Sequence, residues 1–339
     1  MQMSFTPLWH RALFILAVGA APLCSQAQSS PAVPAAPATA QATAAHTTVP
    51  VTFACQATTC DGELWLPAGA SKPPVIVMAH GFGALRDWGL KPYAERFVQA
   101  GFAVLRFDYR GFGKSGGQPR RVVNGKEHVK DWSSAIDAVR QRQDVDGTRV
   151  GLWGTSYSGG HVLQVAADRP EAVKAVSSQV PFVNGWQSSL TFPLKYQPVA
   201  AWYALRDLMR SDSETPLYVP TIAPGQFSAL ICPECDGYKK LMPAGTPEAD
   251  TKVAARVFMS LPFYSPGGAA DRIQAPTLVI ASEKDGLIPV KGVRKVVAQL
   301  KHGEYVELAG ADHFSPYTGP LFEQVVARQT AFFKKNLAE

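Results

Sequence analysis

Nowhere does this chain of 339 residues hold an apolar run long enough to cross a bilayer. The most apolar stretch, Ala12–Ala21, falls well short of the roughly 18 residues a membrane helix needs. Charge is sparse, at 18% of residues, and the cations are scattered rather than clustered with aromatics. A nucleic-acid surface needs a basic patch, so no nucleic-acid partner is expected despite a net charge of +6. No internal repeat is visible. Cysteine is scarce, five in all, and residues 28–48 lack charges and large aromatics altogether. That Ala-, Pro-, Thr- and Gln-rich stretch cannot bury enough apolar surface to offset chain entropy, and it reads as a disordered tether that includes His46.

What is present suits one large α/β domain with an insertion, or two ordinary domains, since 46% of the residues are hydrophobic. Met1–Arg11 supplies a basic end, Ala12–Ala21 an apolar run, and Ser25-Gln26-Ala27 the small-x-small pattern of a processing site. Residues 1–27 therefore read as a secretory signal cut after Ala27, which makes the expected location periplasmic or secreted. Cys24 admits a lipoprotein signal instead, although Leu23 stands where a lipobox prefers a small residue. Beyond Cys24 the cysteines are Cys55, Cys60, Cys232 and Cys235, an even number that favours disulfides in an exported protein. Local bridges, Cys55 to Cys60 and Cys232 to Cys235, are expected, with cross-pairing and a four-thiolate zinc site as competing arrangements. In each case the role is structural.

From about residue 50, short apolar runs alternate with amphipathic stretches, as in a sheet with crossover helices. Val51–Phe53 and Glu63–Leu66 read as a hairpin, and Val75–Ala79, Phe102–Asp108, Val150–Trp153 and Val173–Ser178 as strands. Helices are expected over 90–100, 129–142 and 157–168. The alternation stops from Pro181 to Asp271, where aromatics such as Trp186, Trp202, Phe227 and Phe258 accumulate among prolines. Residues 181–271 are expected to form a cap over a site, because a linker would not carry so much apolar surface; an ordinary peripheral subdomain is the alternative. The core would then comprise 49–180 and 272–339, with strands at 277–281 and 305–308 and helices at 290–300 and 321–336.

A serine hydroxyl is a weak nucleophile until a base takes its proton, and it must protrude where substrate can reach it. The strand ending at Trp153 runs into Gly154-Thr155-Ser156-Tyr157-Ser158-Gly159-Gly160 and then a helix, the strand–turn–helix context that exposes such a serine. Ser156 is the preferred nucleophile because it lies nearer the strand end, with Ser158 as the alternative. A carboxylate and a histidine are then expected on loops after later strands. Asp285, after Thr277–Ala281, is the candidate acid, with Glu283 as the lesser one. His313, after Tyr305–Leu308, is the candidate base. His80-Gly81-Phe82-Gly83 follows another strand, and the amides of Phe82 and Tyr157 are the expected oxyanion donors, unless the glycines merely shape a turn. His128, His161 and His302 read as surface or packing residues. No metal or organic cofactor is needed.

These motifs, together with Asp108-Tyr109-Arg110-Gly111-Phe112-Gly113-Lys114-Ser115, resemble the α/β-hydrolase superfamily over residues 60–337. Within it they resemble the branch shared by dienelactone-hydrolase-like, prolyl-oligopeptidase-like and X-Pro-dipeptidyl-peptidase-like enzymes. More narrowly, the run Trp153–His161 and the ending His313–Gly319 are similar to hydrolases related to fungal polyketide thiohydrolases and transferases. The resemblance implies an α/β-hydrolase fold, a mostly parallel eight-stranded sheet flanked by helices with an inserted cap. It also implies acyl-group chemistry on a medium-sized apolar ester or thioester. An exported serine hydrolase of carboxylic esters with an apolar acyl or aryl portion is the resulting expectation. A prolyl-type peptidase, an acyltransferase and a non-catalytic binding module on the same fold are the alternatives.

Overall fold

Runs of Val, Ile, Leu and Ala bounded by glycine or proline become strands wherever neighbours can cover both of their faces. A computed structural model of the chain describes residues 46–210 and 215–337. β1 (His46–Cys55) and β2 (Thr58–Pro67) form an antiparallel hairpin whose end is closed by a Cys55–Cys60 disulfide. β1 begins inside the span read as a tether. The ladder to β2 satisfies its backbone, and the His46 ring stacks on Trp65 at 4.2 Å, so a segment poor in apolar side chains is ordered by pairing. The rest of the expected tether and the expected signal segment lie outside the described residues.

There follow β3 (Pro74–Ala79), α1 (Lys91–Gln99), β4 (Ala103–Phe107), α2 (Gly125–Arg140), β5 (Asp146–Thr155), α3 (Tyr157–Asp168) and β6 (Ala175–Gln179). After a long excursion come β9 (Thr277–Ser282), α8 (Val290–Val297), β10 (Gly303–Leu308) and α9 (Gly319–Asn336). The strands make one eight-stranded sheet in the order β1-β2-β4-β3-β5-β6-β9-β10. It is parallel from β4 through β10, with β2 antiparallel to its neighbours. Adjacent residues of β5 go to opposite faces: Leu152 joins Trp132 and Leu163 on one side, and Trp153 joins Phe97 and Phe333 on the other. Each such fully buried side chain contributes roughly 1.5–3 kcal/mol. α2 starts earlier than the apolar pattern indicates because Asn124 caps it, accepting from the N–H groups of Lys126 and Glu127.

The excursion between β6 and β9 contains α4 (Gly185–Ser189), α5 (Gln197–Leu208), β7 (Tyr218–Pro220), α6 (Asp236–Lys239), β8 (Lys252–Ala254) and α7 (Val257–Ser260). Its two ends belong to the sheet layer. Pro181–Val183 and the 3-10 turn Pro266–Arg272 lie against α3, and Gly160 leaves the room that Phe182 and Pro266 take. Its middle is tied by Asp207, a buried carboxylate on α5. That side chain accepts from the N–H of Leu217 at 2.7 Å and from the N–H and Nε of Arg256 at 2.8 and 2.9 Å.

Candidate active site

Ser156 sits between β5 and α3 with φ of 57° and ψ of −122°, a conformation that costs energy for any residue with a Cβ. Its own backbone is pinned on both sides. The N–H donates to the Gln179 carbonyl, and the carbonyl accepts from the N–H groups of Phe182 and Gly160. The side chain is thereby pushed toward solvent above the sheet, as a strand–helix elbow requires. Gly81 lets the neighbouring loop approach, since a Cβ there would stand 3.1 Å from the Ser156 Cβ.

Ser156, His313 and Asp285 meet. Ser156 Oγ is 2.9 Å from His313 Nε2, and His313 Nδ1 is 2.6 Å from Asp285 Oδ2. A carboxylate accepts only, so Nδ1–H donates to it and Nε2 is left free to accept the serine proton. Asp285 is itself oriented by the N–H groups of Leu287 and Ile288, which donate to Oδ1 at 2.9 and 2.8 Å. The side chains of His313 and Asp285 are almost fully buried, which strengthens the interaction between them. Glu283 points elsewhere, accepting from the Gly310 N–H at the surface. Ser158 is fully buried on α3 and accepts from the Tyr109 hydroxyl at 3.1 Å, which in turn accepts from Trp132 Nε1. It bolts the elbow to the core and is not in line with His313.

The Tyr157 N–H opens α3, where no earlier turn supplies an acceptor, and the Phe82 N–H has none among the described residues. Both residues line the same cavity as Ser156. His80 does not join the line. Its Nδ1 is 3.0 Å from the Gly81 carbonyl and its Nε2 3.7 Å from Asp108, and burial lowers its pKa to about 3. Burial also pushes Asp108 up to about 6, against the pull of Arg86, whose N–H donates to it. His128 and His161 are buried packing residues, one stacked on Tyr109 and the other 2.6 Å from the Tyr264 hydroxyl, whereas His302 is exposed.

A short segment that the sequence motifs did not place in the site holds three of its loops. The Cys232–Cys235 disulfide closes a turn into α6. Glu234 in that turn accepts from the Gly286 N–H at 2.7 Å, next to Asp285. Gly237 lies so close to Phe314, the neighbour of His313, that no side chain fits between them. The Tyr238 hydroxyl donates to the Phe82 carbonyl at 2.8 Å. The Cys-x-x-Cys pattern marked this turn in the sequence but gave no sign of what it touches. Above Ser156 opens a cavity of about 320 Å³, walled by apolar side chains including Trp88, Phe182, Leu190, Leu230 and Phe258.

A mostly parallel sheet carrying a serine on a strained strand–helix turn, with a histidine and an aspartate delivered by later loops, defines an α/β hydrolase. Comparison with known proteins agrees. The family model for X-Pro dipeptidyl-peptidase (S15 family) matches residues 60–215. The quorum-quenching protein AidA of Acinetobacter baumannii is 39% identical, over 81% of this chain and 91% of that one. The thiohydrolase aneE of Aspergillus aculeatus is 27% identical, over 82% and 89%. The crystal structure of the α/β hydrolase GrgF from Penicillium superposes with a TM-score of 0.72 at 24% identity, covering 87% of this chain and all of that one. The chain belongs to the α/β-hydrolase family, and its relatives support a hydrolytic role.

Proposed function

We propose that the protein is an exported serine hydrolase that cleaves carboxylic esters with an apolar acyl or aryl portion. The observation that carries this reading is the Ser156–His313–Asp285 line at 2.9 and 2.6 Å, set at the floor of an apolar cavity. Ser156 Oγ attacks the ester carbonyl while His313 Nε2 takes its proton. The oxyanion that forms is held by the N–H groups of Phe82 and Tyr157, each such donor contributing about 3 kcal/mol in related chemistry. Collapse expels the alcohol, which receives the proton from His313, and leaves an acyl-Ser156. Water then attacks that acyl group by the same route in reverse, with His313 again as base. The mostly apolar cavity supports an apolar acyl or aryl group over a charged one. Export is supported by the two disulfides, which persist in oxidising compartments. One relative is named a thiohydrolase and others polyketide transferases, which supports acyl-group chemistry and makes thioesters and acyl acceptors necessary arms of any substrate panel.

The test uses a fluorophosphonate probe and p-nitrophenyl esters of graded chain length. The parent should be labelled at Ser156 by peptide mapping, and Ser156→Ala should lose about 10⁴-fold in kcat/KM. An unlabelled parent, together with a Ser156→Ala variant as active as the parent, ends the reading. Aminoacyl amides cleaved in preference to esters would move the activity to the peptidase alternative.

A further inference from the structure

α5 is amphipathic in the wrong sense for a helix of a water-soluble face. Ala200, Ala204 and Asp207 are buried, while Trp202, Leu205, Leu208 and the capping residue Met209 are exposed. At 3.6 residues per turn, Pro198, Ala201, Trp202, Leu205 and Met209 fall along one outward stripe. Ala201 on that stripe also lines the cavity above Ser156, so the outer face runs without a break into the pocket wall. Trp186, Leu190 and Met259, all exposed, line the same cavity and add apolar surface to it. Contiguous apolar surface of this kind marks a contact face rather than ordinary exposure.

Among the described residues of 185–210 and 256–264 the exposed charges have one sign. Lys195 lies over the Tyr196 ring at 4.8 Å, Arg206 over the Trp202 ring at 5.8 Å, and Arg210 donates to the Thr215 carbonyl. Among the described residues of 185–210 and 256–264 the carboxylate is Asp207, which is buried and held by Arg256. Apolar and tryptophan side chains with a cationic rim and, among the described residues of these segments, no exposed carboxylate complement an interface of acyl chains beneath anionic headgroups. We propose that this crown around the pocket mouth is a docking face for an anionic phospholipid surface. Delivery of membrane-borne esters through the mouth rests on the esterase reading; docking itself does not.

The experiment is co-sedimentation of the purified full chain with vesicles of phosphatidylcholine alone and of phosphatidylcholine with phosphatidylglycerol. The parent is compared with Leu205→Asp/Met209→Asp and, separately, with Arg206→Glu, all with the same N-terminus. Neither variant touches the cavity. The parent should partition onto the anionic vesicles, less so at high salt, and the double variant should lose about tenfold or more of that partitioning. Circular dichroism and turnover of soluble p-nitrophenyl acetate report folding, and Arg206→Glu keeps the test open if the double variant does not fold. Docking is overturned if the parent stays in the supernatant with anionic vesicles, or if parent and variants sediment alike. It is also overturned if light scattering shows a parent dimer that the double variant abolishes without any vesicle binding, because a second copy would then be the occupant. Sedimentation needs no turnover, so a silent enzyme that docks would reject the esterase reading alone.

Discussion

Every residue of β4, β6 and β9 is buried, whereas α5 in the insertion turns Trp202, Leu205 and Met209 outward. The sheet uses its apolar residues to fix geometry: both faces are covered, and the strand ends that carry Ser156 and the loops bearing Asp285 and His313 have little freedom. The insertion spends much of its apolar surface on the cavity wall and the outer crown, and it is held by polar ties such as Asp207 to Arg256. On the proposed reading the two regions would divide the work, one setting the reacting atoms and the other what reaches them. One link between them is the Cys232–Lys239 segment, which touches the loops around Phe82, Gly286 and Phe314.

The division can be broken most severely from the sheet side. Gly154→Val would place a branched side chain into the Ser158 carbonyl and Val162, and it should cost at least about 3 kcal/mol by urea unfolding. Full stability in that variant would mean the elbow is looser than its contacts imply.

Acid should also strike the sheet layer, where His80, His128 and His161 are buried and their pKa values lowered, for His80 and His161 to about 3. Above the unfolded value of about 6.5 they are neutral in both states and stability is complete. As pH falls below that value the unfolded chain takes up protons that the folded chain refuses, so stability is lost. Asp108, raised to about 6 when folded, binds its proton first and opposes this between about pH 6 and its unfolded value, as does Asp131, also raised by burial, but these are two groups against three. The slope should approach about 1.4 kcal/mol per pH unit for each net proton, read from melts between pH 7 and 4. The 181–271 segment contains no histidine, so removing the buried imidazoles should flatten the dependence. A stability independent of pH over that range would contradict their burial.

The two disulfides sharpen the comparison. Cys232→Ser/Cys235→Ser should lower kcat/KM by about tenfold, because the bridged turn orients three active-site loops, with a small change in Tm. Cys55→Ser/Cys60→Ser should do the opposite, lowering Tm by a few degrees, roughly, and leaving kcat unchanged, because that bridge closes a hairpin remote from Ser156. A reversed pattern would make the Cys232 turn a stability element alone. The smallest effect is expected from Glu234→Gln, which keeps an acceptor for the Gly286 N–H but weakens it. A fall of about two- to fivefold in kcat, larger for Glu234→Ala, is expected from steady-state kinetics.

The legibility of the two regions follows the same line. Strands buried on both faces write themselves as apolar runs, and the elbow around Ser156, the loop of Asp285 and the loop of His313 each follow such a run at its end. That is why the meeting of these residues could be anticipated in their chain order. The contacts of Glu234 and Tyr238 could not, because they join segments far apart in sequence through single hydrogen bonds that leave no periodicity. The outward face of α5 has the helical period of a core-facing stripe, and nothing in that pattern says which way it turns. His46 was hidden for the opposite reason: a strand ordered by its ladder needs few apolar side chains of its own.

The short helix after Cys235 bears on how such enzymes can be recombined. A chimera that grafted another relative's insertion onto this sheet would bring a new cavity but sever the tie to Phe82 and the support behind Gly286. Only donors carrying an equivalent bridged turn should yield working hybrids, so substrate range and reaction machinery are inherited together in this scaffold.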